Sequence, residues 1–169
     1  FTDHVDPDLI EAVRTGRREE FRAFQWKGKL PDPQDSGTFF QCKLKWKKKE
    51  KRDSRALLDF YRQLLQLRKN IPALCHLSKE DLEVRKVEDR LLLVRRWHEE
   101  SHVCSVMNFS SQEIAYHIDL GPGRWRKVID SSEKRWMGTG SLMPGWYVSG
   151  RSVAMNALSF VLYEKERME

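Results

Sequence analysis

Apolar positions follow two rhythms along this 169-residue chain, and the rhythm changes near residue 80. Before that point the spacing is helical. Leu57, Leu58, Tyr61, Leu64 and Leu65, continued by Arg68, recur at i, i+3, i+4 and i+7, which predicts a helix over about 55–70. It stops at Asn70–Ile71–Pro72, because the residue before a proline leaves the helical region. Leu9, Ile10, Val13, Phe21 and Phe24 predict an earlier helix over 7–24. Asp6 is its expected N-cap, Pro7 suits its first position and Asp8 complements the helix dipole. Gly16 marks the place where a kink or break is expected.

After residue 80 the period is two. Segments 82–87, 90–97, 103–109, 113–119, 124–129 and 153–163 read as strands. Ile114, Tyr116 and Ile118 alternate with Ala115, His117 and Asp119, so the first three are expected to face a core. Leu158, Phe160 and Leu162 alternate in the same way. Short turns separate these runs and no helices intervene, which predicts an antiparallel sandwich. Two stretches break both rhythms. Residues 25–53, with Pro31, Pro33, Gly28 and Gly37, read as a long loop with a short turn over 41–46, and Ser54 is the expected cap of the helix that follows. Residues 131–152 read as a glycine-rich loop with irregular or short strand content.

Composition adds limits. A hydrophobic fraction of 40% supports a modest core. No basic and apolar leader is visible, and no apolar run approaches the roughly 20 residues that span a bilayer. A cytoplasmic protein that does not enter the membrane is therefore expected. Cys42, Cys75 and Cys104 are odd in number and widely spaced, which predicts reduced, buried thiols rather than a disulfide framework or a zinc site. Net charge is +6, concentrated in Lys43–Arg52 (KLKWKKKEKR). With only Trp46 interleaved, this run is read as a solvated linker ahead of a helix, in preference to a nucleic-acid footprint.

The sequence contains no nucleophile elbow, phosphate loop, HExxH or Cys/His ligand cluster. His4, His76, His98, His102 and His117 are scattered, with His98 and His102 flanking an expected hairpin turn. Neither a metal nor a cofactor is expected. Hydrolysis by a carboxylate nucleophile and a carboxylic acid needs the two about 5–5.5 Å apart, and spacing alone selects no such pair. Among six tryptophans, Trp97 and Trp125 sit in strand patterns, whereas Trp136 and Trp146 lie in the glycine-rich loop and are the better candidates for exposure.

Several blocks carry a resemblance. FTDHVDPDLIEAVRTGRREEF and the later PDPQD–TF–KL–W segment resemble the malto-oligosyltrehalose trehalohydrolase group of the α-amylase family. LLDFYRQLLQLRKNIPAL resembles the last barrel helix of α-amylase relatives in general, and RWRKVIDSSEKRWMGTG with ALSFVLYE resembles their C-terminal β-domain. The chain departs from the pattern in the basic stretch 47–53.

The resemblance implies an α+β fragment: the last helices of a (β/α)8 barrel over 1–74, then an antiparallel β-sandwich over 75–169. It also implies that the catalytic carboxylates precede Phe1, so that the piece alone is inactive. Phe1–Asp6 would belong to the loop after barrel strand eight, on the catalytic face. Asp3 and His4 would then lie near the sugar cleft, with Asp32, Gln34 and Asp35 as further substrate-binding candidates. For Asp3 and His4, a turn cap and helix contact compete evenly with sugar contact. For Asp32, Gln34 and Asp35, fixing the loop through side-chain-to-backbone bonds is the stronger reading. The implied partners are an α-glucan oligosaccharide and the rest of the barrel. A truncated barrel helix could also drive self-association. Two other readings stand beside this one: another α-amylase-family enzyme such as a glucan branching enzyme, and a stand-alone basic binding module.

Overall fold

The computed structural model describes residues 1–167, in two compact units: Phe1–Lys48, and a second that begins at Lys49.

The first unit is built on α1 (Pro7–Ala23). The Asp6 carboxylate accepts from the backbone N–H of Asp8 and Leu9, at 2.8 and 3.2 Å, as an N-cap does. The helix runs through Gly16 without a break, and ion pairs between Arg14 and Glu11, Arg17 and Glu20, and Arg18 and Glu11 lace its polar face. The predicted loop over 25–53 is not wholly irregular. It contains a short helix, α2 (Ser36–Cys42), and a 3-10 turn at Trp46–Glu50. The signal for α2 was Asp35, which caps it by accepting from the Gly37 N–H at 2.7 Å.

The second unit opens with α3 (Arg52–Asn70), which starts before the expected cap, so that Ser54 lies inside its first turn. Pro72 begins the single-turn α4 (Pro72–Cys75). Six strands form one antiparallel sheet in the order β1-β2-β3-β8-β5-β6. They are β1 (Leu82–Glu88), β2 (Leu91–His98), β3 (Ser101–Asn108), β5 (Arg124–Asp130), β6 (Trp146–Val148) and β8 (Ser159–Lys165). β4 (Ile114–His117) and β7 (Ser152–Met155) pair separately as a two-stranded antiparallel ribbon. The single strand expected over 153–163 is thus two. Leu158, in the left-handed region at φ 46° and exposed, turns the chain between them, and the Ser159 hydroxyl donates back to the Asn156 carbonyl.

The six-stranded sheet is covered on both faces. On one, Leu91, Leu93, Cys104, Val106, Trp125, Val161 and Tyr163 pack with Ile118, Met155 and the ribbon residues Ile114, Tyr116 and Val153. The predicted alternation holds through β4 and the two residues beyond it: Ile114 and Tyr116 are half-buried and Ile118 is buried, whereas Ala115, His117 and Asp119 are exposed. On the other face, Val103, Ile129, Leu162 and Phe160 meet Phe60, Leu64, Leu67, Ile71 and Ala73 of the helical segment. β8 therefore buries both of its faces, which explains why its apolar residues run almost continuously.

α3 departs from its expected orientation. Of the predicted stripe, only Leu64 packs on the sheet, together with Phe60 and Leu67. Leu57, Tyr61 and Leu65 remain 57%, 59% and 57% exposed, and Leu58 is exposed too. The helix has two apolar faces and the sheet covers one. The sheet-side face is secured at its end by the Ala73 N–H, which donates to the buried Ser101 hydroxyl at 3.2 Å.

The cysteines also differ from expectation. All three are free, but Cys42 and Cys75 are exposed, since α2 and α4 are short surface helices. Only Cys104 is buried, and burial pushes its thiol up to about 12, leaving it inert at neutral pH.

Candidate functional site

The leading segment and the Pro31–Asp35 loop meet in the first unit. The Thr2 N–H donates to the Pro33 carbonyl at 2.7 Å and the Thr2 hydroxyl to Gln34 Oε1 at 2.8 Å. Gln34 then closes on both sides of one residue. Its Oε1 accepts from the His4 N–H at 3.2 Å, and its Nε2 donates to the His4 carbonyl at 2.7 Å. The side-chain amide thus imitates a neighbouring strand. Burial alternates as a result: Thr2 and His4 are half-buried, whereas Phe1, Asp3 and Val5 are exposed.

Asp32 organises the other half of the loop. Its carboxylate takes a forked pair of bonds from Arg14, Nε at 3.0 Å and Nη2 at 2.8 Å, and accepts from the Gln34 N–H at 3.0 Å. The Arg14 guanidinium, then the Gln34 amide, hold this carboxyl below the usual carboxylate range, and the same bond raises Arg14. An open groove of about 340 Å³ beside the pair is lined by Arg14, Arg17, Arg18 and Leu30–Pro33.

The five candidates therefore divide. The structure brings His4 and Gln34 together, and gives Asp32, Gln34 and Asp35 scaffold bonds to Arg14, to the His4 backbone and to the Gly37 amide. Asp3 sits on the clamped segment with its carboxylate in no hydrogen bond or ion pair among the described residues. The Arg14–Asp32 fork was not visible in the sequence, where Arg14 is one of several cations on a polar helix face. A Pro–Asp–Pro turn in reach of a basic helix was its only signal.

A carboxyl that donates a proton at neutral pH needs its pKa raised. Asp32 and Asp119 are displaced the other way, Asp119 chiefly by the Gly121 N–H that it accepts. Neither suits a general acid. No cluster of three or more His, Cys, Asp or Glu side chains that could hold a metal ion occurs among the described residues. The arrangement can present fixed donors and acceptors, and nothing in it generates a nucleophile. Nor, among the described residues, is any helix long and apolar enough to cross a membrane.

No protein-family model matches the chain. Curated relatives do. The chain is 36% identical over 116 residues to the malto-oligosyltrehalose trehalohydrolase of Rhizobium sp. (strain M-11), covering 68% of this chain and 19% of that protein. It is 41% identical over 73 residues to the Arthrobacter ramosus enzyme of the same name, covering 43% of this chain and 13% of that one. Among solved structures, a Salmonella typhimurium protein assigned to the α-amylases superposes with a TM-score of 0.67 at 25% identity, over 98% of this chain and 25% of that one. The chain thus spans about a fifth or less of the curated relatives that it matches. It is a relative of the malto-oligosyltrehalose trehalohydrolases, with an α-amylase-like structural neighbour, and its match fits a C-terminal piece of those enzymes.

Proposed function

We propose that this chain is the C-terminal part of a retaining α-glucan hydrolase that cleaves the α-1,4 bond next to the trehalose end of maltooligosyl trehalose and releases trehalose. The observation that carries this reading is the 36% identity over 116 residues to an enzyme of that name. In this reading residues 1–74 close the catalytic barrel and 75–169 form its β-domain, which supports the barrel without reacting. The catalytic carboxylates belong to the part of the relatives that this chain does not span. The enzyme works in the cytoplasm, without a cofactor.

Asp3 and His4 then stand beside the sugar cleft; Gln34 holds the segment that carries them, and Asp32 holds the loop that carries Gln34. The free Asp3 carboxylate suits a pair of sugar hydroxyls, because its two oxygens only accept. The exposed second face of α3 and the exposed Phe24, Trp26 and Phe40 of the first unit support a protein that continues into further structure.

A chimera tests the reading. The matching C-terminal segment of the Rhizobium enzyme is replaced by this chain, and trehalose release from maltooligosyl trehalose is measured. The chimera is expected to release trehalose and the chain alone to release none. A folded chimera that instead builds α-1,6 branches on amylose would favour the branching-enzyme reading, which the α-amylase-like superposition also accommodates. Turnover by the chain alone would overturn the assignment of the carboxylates to the remainder.

A further inference from the structure

The sheet edge furthest from β1 carries a half-exposed indole among fixed polar groups, and the trehalohydrolase reading does not use it. β6 is a three-residue edge strand, and its Trp146 is 48% exposed. Trp146 pairs across with Arg126 of β5, which pairs in turn with Glu164 of β8. The three side chains form one row, because directly paired residues share a face. Arg126 Nη2 donates to Glu164 at 3.1 Å. In the next row Arg124 pairs with Glu166 at 3.2 Å, and its guanidinium braces the Trp146 ring at 4.8 Å from the centroid. An open groove of about 320 Å³ is lined by Arg126, Trp146, Glu164, Lys165, Glu166 and Arg167, near the lower end of the size range of small-molecule sites.

An edge strand is ordinarily protected by charge or by being short. β6 is already short and flanked by two arginines, so protection does not require an indole left half in water. The neighbours are also unlike those of a protein-docking patch, since charged and planar groups surround the single aromatic. Trp146 offers an apolar face on which the C–H face of a pyranose ring can stack. Arg126 and Glu164 hold planar donors and acceptors beside it, and their ion pair fixes both before any ligand arrives.

We propose that Trp146, Arg126 and Glu164, braced by Arg124 and Glu166, form a surface site on the second unit for an α-1,4-linked glucan chain. The α-linkage rests on the function proposed above; the stacking site itself rests on geometry. The site holds a polymeric or long substrate to the β-domain and takes no part in bond cleavage.

Maltoheptaose and cellohexaose are titrated into the full 169-residue chain, and indole N–H resonances are followed by NMR. The Trp146 resonance is identified as the one missing from Trp146→Phe. Maltoheptaose should shift that resonance, and Trp146→Ala should weaken binding by about tenfold or more, while Trp146→Phe retains part of it. Arg126→Ala should weaken binding without altering the spectrum elsewhere. A Trp146 resonance that stays put, or full binding by both Trp146 variants, would remove the site. Equal binding of cellohexaose would remove its α-glucan assignment. Either failure leaves the chimera experiment untouched, so the two proposals fall separately.

Discussion

Gln34 holds His4 from both sides, donating to its carbonyl at 2.7 Å and accepting from its N–H at 3.2 Å. One side chain does what a paired strand does elsewhere, and it does so 30 residues away in sequence. The segment Phe1–Val5 is thereby ordered without belonging to a sheet, and Asp3 is presented from its middle.

Removing that amide should free the segment. In Gln34→Ala the His4 amide loses its acceptor, and its hydrogen exchange is expected to accelerate by roughly tenfold, the equivalent of one ordinary hydrogen bond. Gln34→Glu keeps the acceptor and loses the donor to the His4 carbonyl, so exchange should fall between Ala and wild type. Unchanged exchange in both variants would show that the Thr2–Pro33 bond alone orders the segment.

The β4 register gives a stability test. Ile118 is buried against the sheet, so Ile118→Ala should cost about 2–5 kcal/mol in denaturant unfolding followed by circular dichroism. Ala115 is exposed on the same segment, and Ala115→Ser should change stability by about 0.5 kcal/mol or less. The reverse ranking would mean that the ribbon is turned over.

Asp119 links stability to pH. Its pKa is lowered in the folded chain, mainly by the Gly121 N–H and also by the Ser149 hydroxyl and nearby Arg85 and Arg95. A lowered carboxyl binds its proton less tightly when folded than when unfolded. Its contribution is therefore complete above the unfolded carboxyl pKa of about 4 and fades as pH falls through the lower folded value. Asp119→Asn should flatten the acid limb of the stability curve and leave its slope near pH 7 unchanged. A variant curve parallel to wild type throughout would show that Asp119 does not supply this dependence. Asp32, held down by Arg14, follows the same sign, and Asp32→Asn should lessen acid sensitivity in the first unit.

The uncovered face of α3 should govern self-association. Leu57, Tyr61 and Leu65 are exposed, whereas Phe60, Leu64 and Leu67 hold the helix to the sheet. Tyr61→Gln with Leu65→Arg should abolish concentration-dependent sedimentation of the chain and leave its melting point within a few degrees. Leu64→Ala should lower the melting point by several degrees, because it opens the sheet-side core. Wild-type chain that sediments as a monomer at every concentration would show that the face stays wet.

Local causes made much of this protein legible without coordinates. Asp6 accepts helix N–H groups within three residues of itself, and Pro72 ends α3 by a clash with its own neighbour. The alternation of Ile114, Tyr116 and Ile118 follows from the pleat of a single strand. Each effect is complete within a few residues, so composition and spacing suffice to read it. The choice between partners is not local. Both faces of α3 are apolar, and the sheet took the one bearing Phe60, Leu64 and Leu67. Periodicity locates an apolar face but does not name what covers it. The same holds for the placing of β8 between β3 and β5, and for the break at Leu158 that separates it from β7. Strand order depends on surfaces distant in sequence burying each other, and the Gln34 clamp on His4 exists only once two loops have been brought within hydrogen-bond reach.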